Sequence, residues 1–369
     1  MTKPKSSNPP HWWIYQGHGE PNEANTLSPD LNRLGEPPPW RRFDPVSRHR
    51  RGATFEPEER EIARVNAALL LRRPLLITGR PGTGKTSLTY AVAHELGLEP
   101  VLRWSITSRT TLQDGLYRYD AIGRLQNTPR MGDQAGVQPE IEDYLSLGPL
   151  GTAFYARPVE SGDGEGDELT YLPRILLIDE IDKSDIDLPN DLLHLFEEGE
   201  FEIPELSRVR PREDDHDGFA IKPADFNDER SFLYRQTVQV PVDGVVRCKS
   251  FPLVIMTSNG EREFPPAFLR RCLQLNMELP DEKKLEQIVS RHFTRHPELS
   301  GKMKEIRKLI RQFIDRREGK GTGRREELSA DQLLNAVHLV LENIEPNQRI
   351  DKELLIDALW QPISSADSL

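Results

Sequence analysis

Residues Gly79–Thr86 have the composition and spacing of a loop that binds phosphate groups. The segment reads Gly-Arg-Pro-Gly-Thr-Gly-Lys-Thr and fits the pattern G-x-x-x-x-G-K-[ST]. Glycines let successive backbone N–H groups turn toward phosphate oxygens, and the N-terminus of a following helix adds its positive dipole end. Lys85 is expected to reach the β- and γ-phosphates of a nucleoside triphosphate, and the Thr86 hydroxyl to ligate Mg²⁺. The residues expected to contact the nucleotide are Gly79, Arg80, Pro81, Gly82, Thr83, Gly84, Lys85, Thr86 and Ser87.

The segments on either side supply the context that this motif requires. The apolar run Pro74–Thr78 predicts a strand before the loop, and Ser87–Leu96 has a helical pattern after it. Strand, glycine loop and helix in this order favour a true phosphate site over an unrelated turn.

Polar residues follow two more apolar runs that we predict to be buried strands. Asp179 and Glu180 come directly after Ile175–Ile178, and Asn259 follows Phe251–Thr257. Ligands of open parallel sheets bind beyond the carboxyl ends of the strands, which is where the phosphate loop also lies. Asp179 is therefore predicted to be a second magnesium ligand, and Glu180 to be the base that orients and activates the attacking water. Asn259 is predicted to hydrogen-bond that water or the γ-phosphate, with a simple Asn-Gly turn as the alternative.

Two pairs of arginines are predicted to act on the phosphates. Arg270 and Arg271 end a short predicted helix, and a guanidinium there suits the charge that develops on the γ-phosphate. Arg271 is the favoured residue of the two. The alternative is that both are solvated cations at a helix C-terminus, where cations are favoured anyway. Arg324 and Arg325 precede a later helix and are expected to reach the nucleotide from a second domain.

The elements that position these residues predict an α/β domain with a parallel sheet, followed by helices. Residues 1–52 form an irregular arm rich in proline and tryptophan, 53–280 the nucleotide-binding domain, and 281–369 a helical domain. Within the α/β domain, 123–173 and 201–250 are predicted to be insertions, the first of them a surface or flexible loop that contains one structured apolar segment. The predicted helices are Pro57–Leu71, Thr110–Tyr119, Leu188–Glu198, Asp281–Phe293, Lys302–Arg317, Ser329–Asn343 and Asp351–Trp360.

Composition narrows the classes of partner. The 369 residues include 49 Lys and Arg against 60 Asp and Glu, which gives a net charge of −11. Nucleic-acid binding needs clustered cations, so nucleic acid is not an expected partner. The sequence has no apolar run of the ~20 residues that span a membrane, and no apolar signal core follows Met1. Cys248 and Cys272 have no C-x-x-C partner and are expected to be thiols in a reducing cytoplasm.

Taken together, the motifs resemble those of the AAA+ ATPases, most closely the MoxR type. The resemblance rests on Gly79–Thr86, Ile175–Glu180 followed by Ile-Asp-Lys, Thr257–Asn259 and Phe264–Arg271, in this order. It covers roughly 55–345 and implies an AAA+ P-loop fold, with a five-stranded parallel sheet between helices and a C-terminal helical lid. It further implies ATP and Mg²⁺ as cofactors. The roles it assigns are Walker A at Gly79–Thr86, Walker B at Ile175–Glu180, sensor 1 at Asn259, an arginine finger at Arg271 and sensor 2 near Arg324 or Arg325.

The resemblance also implies a hexameric ring that remodels or activates partner proteins, often ones with a von Willebrand factor A domain. Three features depart from the family pattern: Arg-Arg-Cys at the finger, a loose sensor 2 segment at 323–329, and the arm with the 201–250 insertion. Two alternatives stay open. One is a nucleotide-gated scaffold or switch in a signalling or defence assembly with slow turnover. The other is a nucleic-acid-associated NTPase that uses the basic and aromatic residues at 40–51.

Overall fold

The computed structural model describes 37–38, 41, 52, 55–127, 140–159, 170–209, 218–294, 296–320, 326–342 and 356–360. Two compact units divide the chain. Arg51–Glu278 forms the larger unit, and Leu279–Leu369 belongs to the other. Of the basic and aromatic residues at 40–51, the described part contains only Arg41.

A five-stranded parallel sheet forms the centre of the larger unit, as predicted. Its three central strands are short, apolar and buried on both faces, which suits a parallel sheet covered by helices, and its two edge strands expose alternate residues. Its members are β1 (Leu75–Thr78), β2 (Leu102–Ser105), β7 (Ile175–Asp179), β12 (Leu253–Ser258) and β13 (Leu273–Asn276). They lie in the order β13-β1-β12-β7-β2, and every pairing is parallel. The phosphate-loop strand β1 therefore lies between β13 and β12, and β2 is an edge strand.

The two faces of this sheet belong to different hydrophobic layers because successive side chains of a strand alternate in direction. Leu76, Ile178 and Met256 contribute to one layer. Leu177 and Ile255 contribute to the other, in which residues of the helices α1 (Glu59–Leu71) and α2 (Lys85–Leu96) also pack. The alternation assigns Arg103, Asp179 and Thr257 to this second face, on which α2 begins.

The helices of the larger unit agree with most of the predicted ones. The helix Leu188–Glu198 has the predicted bounds, but the predicted helix Thr110–Tyr119 is wrong in its second half, where Tyr117–Tyr119 forms strand β3. The helices are α1 (Glu59–Leu71), α2 (Lys85–Leu96), α3 (Leu112–Leu116), α4 (Ala121–Gln126), α5 (Pro149–Ala153), α6 (Leu188–Glu198), α7 (Pro204–Ser207) and α8 (Pro266–Arg271).

The first predicted insertion contributes directly to the core of this unit. Leu150 and Phe154 are fully buried on the layer opposite α2, so this stretch is structural where described and not only a surface loop. Residues 128–139 and 160–169 of the insertion lie outside the described part. Its strands pair as hairpins: β3 (Tyr117–Tyr119) with β4 (Leu145–Leu147), and β5 (Arg157–Val159) with β6 (Thr170–Leu172).

The second predicted insertion is fixed to the base of β7 by a buried ion pair. The Arg174 guanidinium pairs with the Asp225 carboxylate, which also accepts a hydrogen bond from the Ser231 hydroxyl. Both charged side chains are at most 5% exposed, and Arg174 also lies over the Phe232 ring at 5.0 Å. The strands of this segment are β8 (Glu200–Glu202), β9 (Phe219–Ile221), β10 (Val238–Val240) and β11 (Val245–Arg247), which pair as β8 with β11 and β9 with β10.

The second unit is helical, as the periodicity after 280 predicted. Its helices are α9 (Glu282–His292), α10 (Leu299–Glu318) and α11 (Ala330–Leu341). Ser329 is the N-cap of α11 and closes a capping box with Gln332. The apolar faces of these helices form a core of their own, in which Trp360 meets the Phe313 ring edge-on at 5.6 Å.

No helix in the described part of the chain is long and apolar enough to cross a membrane. Cys248 and Cys272 are both free thiols.

Candidate nucleotide-binding site

The predicted phosphate loop connects β1 to α2 and has the backbone that the motif requires. Gly82 and Gly84 have φ of 79° and 92°, in the left-handed region that favours glycine. A Cβ atom on Gly84 would also lie 2.8 Å from the Phe55 ring. Any side chain at this position would therefore meet both backbone strain and a steric clash.

The Lys85 side chain lies inside the loop and connects it to β12. Its Nζ atom donates to the carbonyl oxygens of Gly79 and Arg80 over 2.6 and 2.9 Å, and to Asn259 Oδ1 over 2.9 Å. These bonds use the three donors of the ammonium group. Burial lowers the pKa of Lys85, and the nearby carboxylates of Asp182, Asp179 and Glu180 oppose that shift. The structure thus brings the predicted phosphate-binding lysine and Asn259 together.

The Asp179 carboxylate is the centre of the site. Its Oδ1 accepts hydrogen bonds from the hydroxyls of Thr86 at 3.2 Å and Thr257 at 2.7 Å. Its Oδ2 accepts a bond from Arg103 Nη2 at 2.6 Å. Side chains alternate in direction along each strand, which places Arg103, Asp179 and Thr257 on the face of the sheet where α2 begins. These three side chains can therefore contact one another.

Thr86 and Asp179 fit a magnesium ion in donor type and in spacing. A hydroxyl and a carboxylate oxygen 3.2 Å apart are hard oxygen donors of the kind that Mg²⁺ takes. Among the residues that the structure describes, no group of three or more His, Cys, Asp or Glu side chains forms a metal cage. Mg²⁺ is commonly bound by one or two carboxylates together with substrate phosphates and water.

Glu180 follows Asp179 in a left-handed backbone conformation. Its φ and ψ are 63° and 49°, and its N–H donates to the Thr257 hydroxyl over 3.0 Å. Residues held in such conformations are concentrated at functional sites. The Glu180 carboxylate accepts a hydrogen bond from Lys183 Nζ at 2.8 Å, and this bond raises the pKa of Lys183. The predicted base is thus held by a cation of its own turn.

Asp182 fixes the turn that carries Asn259. It is 5% exposed, and its Oδ2 accepts hydrogen bonds from the backbone N–H groups of Asn259 at 2.9 Å and Glu261 at 3.1 Å. Its other oxygen, Oδ1, is buried without a hydrogen-bond partner. Asp182 therefore determines where the Asn259 amide lies with respect to Lys85.

The predicted arginines lie apart from this cluster or outside the described residues. Arg270 and Arg271 end α8 with exposed side chains, and Arg271 pairs with Glu197 of α6. The Arg73 guanidinium donates to the carbonyl oxygens of both arginines, which caps the end of α8. Arg324 and Arg325 fall in 321–325, outside the described residues.

Sequence reasoning missed three residues of the site as individual contributors: Arg103, Asp182 and Thr257. The sequence did contain a signal for each of them. Arg103 lies between two apolar residues of a predicted strand, and Asp182 is a third acid shortly after Asp179 and Glu180. Thr257 is a hydroxyl residue near the end of a buried strand. Each signal also has a non-functional explanation in the sequence. Arg103 could belong to a solvated edge strand, Asp182 to an exposed turn, and Thr257 could be an ordinary β-branched strand residue.

Sheet order, phosphate loop and acidic strand end together define a phosphate-loop protein with the AAA+ α/β fold. A family model described as the AAA domain of the dynein-related subfamily matches residues 74–272, more than half of the 369 residues. The chain therefore belongs to the AAA domain family, and membership implies nucleotide binding. No curated protein matches the sequence.

Proposed function

We propose that this protein binds ATP with Mg²⁺ at the carboxyl edge of the sheet and hydrolyses it. The observation that supports this most directly is the pair of contacts across the site: Lys85 with Asn259, and Thr86 with Asp179. They bring the phosphate loop, the acidic strand end and the polar amide that follows β12 into one cluster. A loop that only closed a turn would not be expected to contact both the acidic strand end and the Asn259 amide.

Each residue of the cluster has a role in this proposal. Lys85 exchanges the carbonyl oxygens of its own loop for phosphate oxygens, and its charge neutralises them. Thr86 and Asp179 would hold magnesium, which would neutralise phosphate charge and polarise the γ-phosphoryl group. Asn259, fixed by Asp182, hydrogen-bonds the γ-phosphate or the attacking water.

Glu180 orients and deprotonates the attacking water. In the structure its carboxylate accepts a hydrogen bond from Lys183, which a change of rotamer can release. Both side chains are about two-fifths exposed, which leaves room for this rotation.

We further propose that copies of the chain form a hexameric ring in the manner of MoxR-type ATPases. Arg271 is half exposed and lies away from its own phosphate loop, which suits a finger that acts on the nucleotide of a neighbouring copy. Changes in the γ-phosphate contacts would then move subunits and remodel a client protein, such as one with a von Willebrand factor A domain.

A second candidate function is a nucleotide-gated switch or scaffold with slow turnover. The contacts of Arg103 with Asp179 and of Lys183 with Glu180 favour it, because both acids that hydrolysis requires are engaged by cations of the chain itself. In this case ATP binding alone sets the state of an assembly.

ATP turnover measured against protein concentration separates the two functions. The wild type, Lys85→Ala, Glu180→Gln and the exposed control Glu95→Gln are compared, with the mass measured by light scattering in ATP. We expect specific activity to rise with concentration, a ring to form, and only the control to keep turnover. Glu180→Gln should still bind ATP. A wild type that binds ATP but stays monomeric with negligible turnover supports the switch, and one that binds no nucleotide refutes both.

A further inference from the structure

Arg103 is an unexpected cation on the predicted metal ligand. Its Nη2 atom donates to Asp179 Oδ2 over 2.6 Å, while Oδ1 of the same carboxylate accepts from the Thr86 hydroxyl. The Arg103 side chain is 46% exposed and the Asp179 side chain 9%. The guanidinium therefore covers the carboxylate from the solvent side, and Thr86 and Thr257 hold it from the interior.

The fold fixes this arrangement. Arg103 belongs to the edge strand β2, which pairs with β7 so that Ser105 lies opposite Asp179. Leu102 and Trp104 point into the hydrophobic layer opposite α2, which directs Arg103 to the α2 side of the sheet. From β2 the long side chain extends along the strand direction to the carboxyl edge, where Asp179 lies.

A guanidinium and a magnesium ion bind a carboxylate in different ways. Arginine contributes one delocalised charge and directional N–H donors, whereas Mg²⁺ requires octahedral oxygen coordination with short distances. Arg103 takes Asp179 Oδ2, whereas Oδ1 and the Thr86 hydroxyl are the pair that fits magnesium, so the two cations would share one carboxylate and repel each other. Each cation therefore weakens the attraction of the carboxylate for the other.

We propose that Arg103 is a built-in counter-cation of the nucleotide site, which holds Asp179 when no metal is bound and gives way when magnesium binds. This inference rests on the proposed nucleotide site. Arg103 competes with the metal and lowers its effective affinity. With no metal present, the same guanidinium supplies a positive charge next to the phosphate loop and supports binding of metal-free ATP. Arg103 is thus a positioning residue that sets how strongly nucleotide binding depends on magnesium.

The experiment measures dissociation constants of a fluorescent, non-hydrolysable ATP analogue that carries a methylanthraniloyl group. Each protein is titrated once with excess Mg²⁺ and once with EDTA, and the ratio of the two constants reports the metal dependence. The variants are Arg103→Gln, which removes the charge, and Arg103→Lys, which retains it. Arg109→Gln, an exposed arginine six residues further along the chain, is the matched control.

We expect Arg103→Gln to increase the EDTA-to-Mg²⁺ ratio about fivefold, the scale of a partly exposed charge pair. Arg103→Lys should restore most of the wild-type ratio, and Arg109→Gln should leave it unchanged. An unchanged ratio in Arg103→Gln, in a protein that melts at the wild-type temperature and binds the analogue, overturns the inference. An equal loss of affinity in both buffers also overturns it, because a purely structural role gives that result. If the wild type itself fails to bind the analogue, the proposed function has failed instead.

Discussion

The buried carboxylate of Asp182 accepts a hydrogen bond from the backbone N–H of Asn259 over 2.9 Å. The same oxygen also accepts from Glu261 N–H, so a single acid holds both ends of the turn after β12. The Asn259 amide in turn accepts a hydrogen bond from Lys85. Asp182 thus determines the position of Asn259, whose side chain is the one that contacts the phosphate-loop lysine.

Replacement of Asp182 by asparagine tests this arrangement. The side-chain amide of asparagine has one acceptor oxygen, where the carboxylate has two. In the opposite orientation its NH₂ group would face the two backbone N–H donors, so we expect the turn to loosen. We expect turnover to fall roughly tenfold while affinity for the nucleotide changes less, since an N–H hydrogen bond to a charged group contributes about 1.5–3 kcal/mol. Steady-state kinetics together with nucleotide titration measure the two effects. The exposed Asp191→Asn in α6 should behave as wild type, and an equal turnover in both variants would contradict the role of Asp182.

The Thr257 hydroxyl bridges Asp179 and Glu180, and valine is a replacement of nearly equal shape without the bridge. Thr257→Val leaves the Glu180 N–H without its acceptor and removes one donor from Asp179. We expect turnover to fall at least tenfold and the free energy of unfolding to fall by about 1–3 kcal/mol. Thr257→Ser keeps the hydroxyl and should retain turnover within about threefold. If serine and valine have the same effect, the hydroxyl bridge is unimportant.

Arg271 is predicted to act on the nucleotide of a neighbouring copy. Arg271→Ala should reduce turnover by about 10³-fold, as loss of a trans arginine does in related chemistry, while Arg270→Ala stays within about threefold. Mixing Arg271→Ala with Lys85→Ala subunits should restore part of the activity. In a mixed ring, some interfaces combine an intact phosphate loop with an intact arginine. Turnover of mixtures across subunit ratios measures this, and mixtures that remain inactive would indicate that Arg271 has no such role.

The buried Arg174–Asp225 pair should dominate the stability of the second insertion. Asp225→Ala leaves a buried guanidinium without its counter-charge, which costs about 3–5 kcal/mol in the free energy of unfolding. The neighbouring pair of Arg230 and Asp228 is more exposed, and Asp228→Ala should cost about 1 kcal/mol or less. Urea unfolding of the larger unit, monitored by fluorescence, compares them. Equal losses in the two variants would mean that burial of the pair is immaterial.

Local patterns were enough to predict the phosphate loop and the strands around it. Gly79–Gly84 connects a strand to a helix that begins at Lys85, Asp179 is the last residue of its strand, and Asn259 follows its strand. These predictions succeed because an apolar run ended by a polar residue is a short-range signal. The parallel sheet then brings the strand ends to one edge.

The contacts that the sequence did not reveal depend on pairing between distant segments. The Arg103–Asp179 contact needs β2 to pair with β7 in one register, and 76 residues separate the two side chains in sequence. The burial of Leu150 and Phe154 likewise depends on which layer the first insertion covers. The apolar composition of this segment indicated that it is structured, but not which layer of the sheet it covers.

The register of β12 has a consequence for how this gene tolerates change. Strand β12 pairs with β1 on one side and with β7 on the other, and places Thr257 beside Asp179. Removal of a single codon anywhere in Leu253–Met256 would turn Thr257 to the opposite face, although the encoded protein would lose only one apolar residue. Conservative replacements of those same residues keep the alternation. This strand should therefore tolerate conservative substitutions but not deletions.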